Sequence, residues 1–318
     1  MNQLAKYSTE IDNYFANVKD HAAIAQARRL FHDRGISFDA VMAMAISVSP
    51  PPELKPLAPF GDGVPKSRWD GVDTEEFLRL VRAFYQQSRF GEFFTAHAAM
   101  YRVAEERFAS TLASVNLEWY PKFYGSKADL DYHLILGMNN GGGNYGPHLL
   151  LPDGRTELFS IIGCWTHDAA GNPVYPQDQG YLSTIIHEFN HSFVNPAVSA
   201  HWQEFGAAET VFQSVADKMR RQAYVTAQTM VQESLVRAAV IVYLRDAGEG
   251  PPGIEKRVRY EQKLGFLWMD QLVDLVERYE TQRSQYPTFA AFMPAAGQFY
   301  ASLAPRMKDL SKGFEFQR

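Results

Sequence analysis

Five consecutive residues, His187-Glu188-Phe189-Asn190-His191, have the types and spacing to do chemistry. On a helix, positions four apart lie one above the other on one face. His187 and His191 could therefore aim two imidazole nitrogens at one metal ion, at the roughly 2.0–2.1 Å of a zinc–nitrogen bond. Glu188 follows the first histidine directly and would lie beside the ion. There a carboxylate can take a proton from an activated water and later pass it to a leaving group. Leu182, Ile185, Ile186, Phe189 and Phe193 surround the motif. They predict a mostly buried helix that ends at Asn195-Pro196. Two histidines and a glutamate in that setting need partners or a ligand. The plainer alternative is a pair of hydrogen-bonded core histidines with Glu188 as a local partner.

The H-E-x-x-H pattern resembles that of the zincin metallopeptidases. The metzincin branch would require glycine at 194 and histidine at 197, where this chain has Val194 and Ala197. The gluzincin branch takes its third ligand from a glutamate on a later helix, and Glu204, Glu209 and Glu233 are the candidates. Glu233 is preferred because it opens E-S-L-V-R-A-A-V-I-V-Y-L, Glu233 to Leu244, the most apolar helical stretch of the back half. A carboxylate on so apolar a helix needs a cation. Arg237, one turn on, could hold its second oxygen or contact substrate. A simple Glu233–Arg237 ion pair is the bland alternative. Glu209 is the next candidate, because thermolysin-like enzymes space this glutamate more closely; its helix is more mixed in charge.

The elements that must position these residues read as α+β. Ser8 to Phe31 has helical periodicity, broken by Gly35, and Phe38 to Val48 favours helix through its alanines and methionines. Pro50 to Pro65 is a proline-rich loop. Asp73 to Gln87 opens with an acidic helix start, and Phe93 to Leu112 continues as a second helix. Val115 to Phe123, Tyr132 to Met138, Pro147 to Leu151 and Thr156 to Gly163 read as strands of a small mixed sheet, with Pro152-Asp153-Gly154 as a tight turn. The sheet precedes the H-E-x-x-H helix, the order that zincin folds use. The glycine loop Asn139 to Gly146 is either a hairpin connection or a cleft lip that binds an extended substrate. His201 to Ala223, Val225 to Arg245, Glu255 to Gln282 and part of Pro287 to Phe316 complete a mainly helical C-terminal half. Two parts follow, residues 1–196 ending in the motif helix and 197–318 carrying the third ligand. A cleft is expected between them, or one compact catalytic domain.

Composition narrows the function classes. Hydrophobic residues at 46% and charged residues at 21% suit a folded globular chain. The net charge of −5 and the lack of basic runs argue against nucleic acid. Apolar runs such as Ala238 to Leu244 are too short to span a bilayer. Cys164 is the only cysteine, so no internal disulfide forms; after Ile161-Ile162-Gly163 it reads as a buried strand-end thiol. The first residues, M-N-Q-L-A-K-Y-S-T-E, lack the apolar centre of a signal peptide. The location expected is periplasmic or secreted if a signal was removed, and cytoplasmic otherwise.

H-E-F-N-H-S-F together with E-S-L-V-R-A resembles an uncharacterised, usually exported bacterial family of gluzincin-type H-E-x-x-H zinc metallopeptidases. The resemblance implies a zinc peptidase acting on a peptide or protein, with His187, His191 and Glu233 as zinc ligands and Glu188 as base. For the oxyanion donor the sequence offers Arg237, Tyr145, Tyr243, Tyr260 and Tyr300. Asn190 reads as facing away from the metal and satisfying a local backbone group. His133, His148, His167 and His201 read as ordinary structural or surface residues, with His148 the best placed for another role because it closes the glycine loop. A zinc-binding protein without turnover and a zinc hydrolase of a non-peptide substrate are the other classes open. Oligomeric state has no signature in the sequence.

Overall fold

Side-chain caps start some of the helices in the computed structural model, which describes residues 6–61, 64–140, 142–177 and 180–316. Expectations that fall on residues 1–5, 62–63 and 141 lie outside the described residues. The N-terminal helical stretch divides into α1 (Lys6–Tyr14) and α2 (Ala22–Arg34), because the His21 ring accepts the Ala23 N–H and starts a new helix. Phe38 to Val48 folds as α3 (Asp39–Ile46). Asp73 caps α4 (Thr74–Gln87) by accepting the Glu76 N–H at 2.9 Å. The helix expected over Phe93 to Leu112 is broken into α5 (Phe90–Ala96) and α6 (Ala98–Leu112). At the break, His97 bonds its ring to the Phe93 carbonyl at 2.7 Å and to Glu10 at 3.0 Å.

Val115 to Phe123 is not a strand: Trp119 begins the short helix α7 (Trp119–Tyr124). Its aromatic residues have strand propensity, but here they are buried on helical neighbours. Trp119 stacks on Phe123 at 4.1 Å, and Tyr124 stacks on Phe193 at 4.4 Å.

Strands β1 (Leu130–Gly137), β2 (His148–Leu150) and β3 (Thr156–Gly163) form a mixed sheet of order β1-β3-β2. β1 runs parallel to β3, from Leu130 opposite Thr156 to Gly137 opposite Gly163. β2 runs antiparallel to β3 with His148 opposite Leu158. The glycine loop is thus no hairpin: it carries the chain past β3, since β1 and β2 do not pair. Its far end is tied down by two bonds between Tyr145 and Ile161, each 2.9 Å. A two-stranded ribbon, β4 (Thr166–His167) with β5 (Pro173–Val174), was not expected from the sequence.

Helix α8 (Tyr181–Ala200) carries the H-E-x-x-H motif and runs through Pro196 instead of ending there. Proline lacks the N–H that would bond the Ser192 carbonyl. Burial of Val194 and Val198 (both 0% exposed) on either side holds the turn in place. Beyond it lie α9 (Ala208–Arg221), α10 (Ala227–Asp246), α11 (Pro251–Leu264), α12 (Met269–Thr281), α13 (Phe289–Leu303) and α14 (Met307–Phe316). The single helix expected over Glu255 to Gln282 is interrupted at Gly265, whose φ of +116° favours glycine. The chain then turns Phe266, Leu267 and Trp268 into the core. With helices first, a small mixed sheet next and a mainly helical C-terminal half, the fold class is α+β as expected.

By internal packing the chain forms two units, Met1–Val115 with Ala128–Glu188, and Asn116–Lys127 with Phe189–Arg318. The division falls inside α8, between Glu188 and Phe189, eight residues before the boundary expected at 196, and α7 belongs with the C-terminal helices. One core of the first unit gathers Leu30, Ile36, Ala40, Met44, Trp69 and Leu78. In the second unit Trp268, Tyr279, Phe292 and Tyr300 are fully buried. Among the described residues no helix is long and apolar enough to cross a membrane.

Candidate metal centre

Every fourth residue of α8 from Ser183 is polar, and Ser183, His187, His191 and Asn195 make a half-buried ladder along one face of the helix. Ile185, Ile186 and Phe189 are buried around it, as the sequence predicts. His187 and His191 are left accessible enough to bind. Glu188 points from a different face and is 6% exposed.

Glu233 comes to this ladder from α10. That helix buries residues around its whole circumference, Leu235, Val236, Ala238 and Val242 among them, against α9, α11 and α12. Thr226 caps its start by accepting the Thr229 N–H at 3.1 Å. Glu233 is 7% exposed. Its Oε1 lies 3.5 Å from His191 Nε2. One donor atom from each of His187, His191 and Glu233 falls within 4.8 Å of the others, so the group could hold a metal ion.

The donor set suits a metal ion on three counts. Two imidazoles and one carboxylate are a zinc set that leaves a coordination position open. Bonds of roughly 2.0–2.1 Å in a tetrahedral shell place neighbouring donors about 3.3 Å apart, close to the His191–Glu233 separation and longer than an ordinary hydrogen bond. The supporting contacts are present as well. His191 Nδ1 lies 3.2 Å from Asn195 Oδ1, and with Nδ1–H donating there, Nε2 keeps its lone pair for a metal. Glu233 Oε2 lies 3.5 Å from Arg237 Nη2, which leaves Oε1 on the histidine side.

The other candidate ligands are elsewhere. Glu209 is exposed and accepts a bond from Gln213 at 2.6 Å, and Glu204 is exposed. Arg237 is turned toward Glu261 and Tyr224, at 2.8 and 2.9 Å. Burial works against its charge, but Glu233 and Glu261 hold the guanidinium above its ordinary pKa, so it stays a cation.

Among the tyrosines, Tyr243 accepts the Asn116 N–H, Tyr260 is exposed and Tyr300 lies fully inside the helical core. Tyr145 is the one whose hydroxyl senses Glu188: its pKa is raised by burial first, then by the charges of Asp39 and Glu188. Next to it, Gly146 packs against α8 so closely that a Cβ there would stand 1.9 Å from the Glu188 carbonyl oxygen.

Asn190 is fully buried, but its partners are distant in sequence. Its Oδ1 accepts from the Tyr124 hydroxyl at 2.9 Å, and its Nδ2 donates to the Val236 carbonyl at 3.5 Å. It therefore ties α8 to α7 and α10. His133 stacks on Phe159, His201 donates from Nδ1 to the Ala197 carbonyl, and His148 is exposed at the start of β2. Cys164 is a buried free thiol, as expected, whose pKa burial raises.

Sequence reasoning missed three residues around the candidate ligands. Asn195 continues the four-residue ladder and could have been read from it. Tyr224 and Glu261 stand 13 and 24 residues from Arg237 and had no such spacing to betray them.

Compared with known proteins, the sequence matches over residues 63–296 the family described as Domain of unknown function (DUF4932). That span covers well over half of the 318 residues and includes all three candidate ligands, so the chain belongs to this family. No curated protein and no solved structure matches it.

Proposed function

We propose that this member of the DUF4932 family is a gluzincin-type zinc metallopeptidase that hydrolyses peptide bonds with Glu188 as general base. The observation that carries the proposal is the convergence of His187, His191 and Glu233, with His191 Nε2 and Glu233 Oε1 3.5 Å apart. His187, His191 and Glu233 would hold the ion. When bound, zinc would supply Lewis acidity, lowering the pKa of water toward about 7 and polarising the scissile carbonyl.

The chain's own residues do the rest. Asn195 fixes the His191 ring, and Arg237 fixes one oxygen of Glu233. Glu188 takes the proton of the attacking water on its carboxylate as the C–O bond forms. It then delivers that proton to the amide nitrogen as the C–N bond breaks, so one buried carboxylate serves as base and then as acid. A purely structural zinc site would have no use for that carboxylate, which favours turnover over storage. Tyr145 is the candidate donor to the developing oxyanion, because the next residue, Gly146, packs directly against the Glu188 backbone.

The test is Glu188→Gln, assayed for zinc content and for cleavage of a mixed peptide library. The expected result is unchanged zinc with turnover lowered about 10²–10⁴-fold. Turnover close to wild type would remove Glu188 from the mechanism. Wild-type protein that takes up zinc and cleaves esters but no peptide would move the substrate class.

A further inference from the structure

Behind Glu233, one guanidinium is shared unequally between two carboxylates. Arg237 Nη1 donates to Glu261 Oε2 at 2.8 Å, whereas Nη2 stands 3.5 Å from Glu233 Oε2. All three side chains are largely buried, at 14% exposure for Arg237, 15% for Glu261 and 9% for Glu233. The guanidinium is also seated over the Phe266 ring at 4.9 Å, and Nη2 donates to the Tyr224 hydroxyl at 2.9 Å. Burial first, and then the nearby Glu233 carboxylate, push the Tyr224 hydroxyl's pKa up, so Tyr224 lies within electrostatic reach of both charges. Glu261 thus has the tight pairing and Glu233 the loose one.

The inequality matters because an arginine with a single carboxylate partner closes on it through both forks. A carboxylate gripped at both oxygens has none to give a metal. A guanidinium without its compensating carboxylate would also set one more uncancelled positive charge beside a dication.

We infer that Glu261 is a positioning residue for the metal centre: by holding Arg237 it keeps the guanidinium from closing on Glu233 and leaves Glu233 Oε1 directed at His191. This rests on the metal-centre reading above. Glu261 and Glu233 repel each other as like charges, and the contact that joins them is the shared guanidinium of Arg237.

The experiment is zinc affinity, measured on the full chain by competition with a colorimetric chelator. The proteins are wild type, Glu261→Gln, Arg237→Met and the double variant, with folding checked by circular dichroism. Glu261→Gln is expected to weaken zinc binding about tenfold or more. Adding Arg237→Met to it should restore affinity to the level of Arg237→Met alone, a rescue that a merely structural role for Glu261 would not produce. Wild-type affinity in Glu261→Gln overturns the inference, as does a double variant no tighter than Glu261→Gln. If Glu261→Gln does not fold alone, Arg237→Met against the double variant carries the test: equal affinity is expected, and a further fall in the double overturns it. Wild-type protein that binds no zinc overturns the metal-centre reading and this inference together, and that outcome is read from wild type alone.

Discussion

Two glutamates on successive helices, Glu209 on α9 and Glu233 on α10, began as rivals for one role and have opposite surroundings. α9 is amphipathic: Val211, Phe212, Val215 and Met219 face inward, while Glu209 faces solvent and bonds Gln213 one turn on. α10 has no solvent face at Glu233, and the carboxylate is enclosed with His191, Arg237 and Tyr224. A solvated carboxylate needs nothing further. An enclosed one needs positive charge, and the arginine beside it is already bound more tightly to Glu261. Environment, more than spacing from the H-E-x-x-H motif, separates a candidate ligand from a surface residue.

The contrast can be broken most directly at the two glutamates themselves. Glu233→Ala is expected to lower zinc affinity by about a hundredfold or more, taking a loss at a ligand as at least the upper end of what supporting contacts cost. Glu209→Ala should leave both zinc affinity and stability unchanged, the latter within about 0.5 kcal/mol. Elemental analysis and chelator competition would show it, and zinc lost from Glu209→Ala would reverse the assignment. A second test sharpens the difference between the helices. Leu235, fully buried on α10, should cost about 2–5 kcal/mol when changed to alanine, measured by urea unfolding. A cost under about 1 kcal/mol would mean that α10 is less tightly enclosed than described. The smallest expected loss is at Asn195. Asn195→Ala should weaken zinc binding about tenfold by freeing the His191 ring, without abolishing it. An unchanged affinity would show that the ring is held by other contacts.

How much could be read beforehand depended on whether the determining contacts were local. His187, Glu188 and His191 follow from helical periodicity within five residues, and the enclosure of Glu233 follows from the apolar run after it. The caps at Asp73 and the strands β1 and β3 were legible for the same reason. Trp119 to Tyr124 was not, because aromatic residues suit strand or helix and contacts to Phe193 and Tyr243 decide between them. The break at Gly265 was hidden because a lone glycine is tolerated within a helix, and only its positive φ marks the end. Tyr224 and Glu261 reach Arg237 through tertiary packing, which leaves no periodic trace in the chain.

The contact of Gly146 with α8 has a consequence for anyone redesigning the glycine loop. With a Cβ only 1.9 Å from the Glu188 carbonyl oxygen, the smallest side chain would have to push aside the backbone turn that carries both Glu188 and His187. The loop and the motif turn therefore form one machined fit with no clearance at that point. Gly142, where an added Cβ meets nothing closer than the Trp165 ring at 4.0 Å, has the clearance that Gly146 lacks. A library built on this scaffold should vary position 142, keep Gly143, whose added Cβ would meet the Tyr145 hydroxyl at 2.4 Å, and treat position 146 as part of the helix it touches.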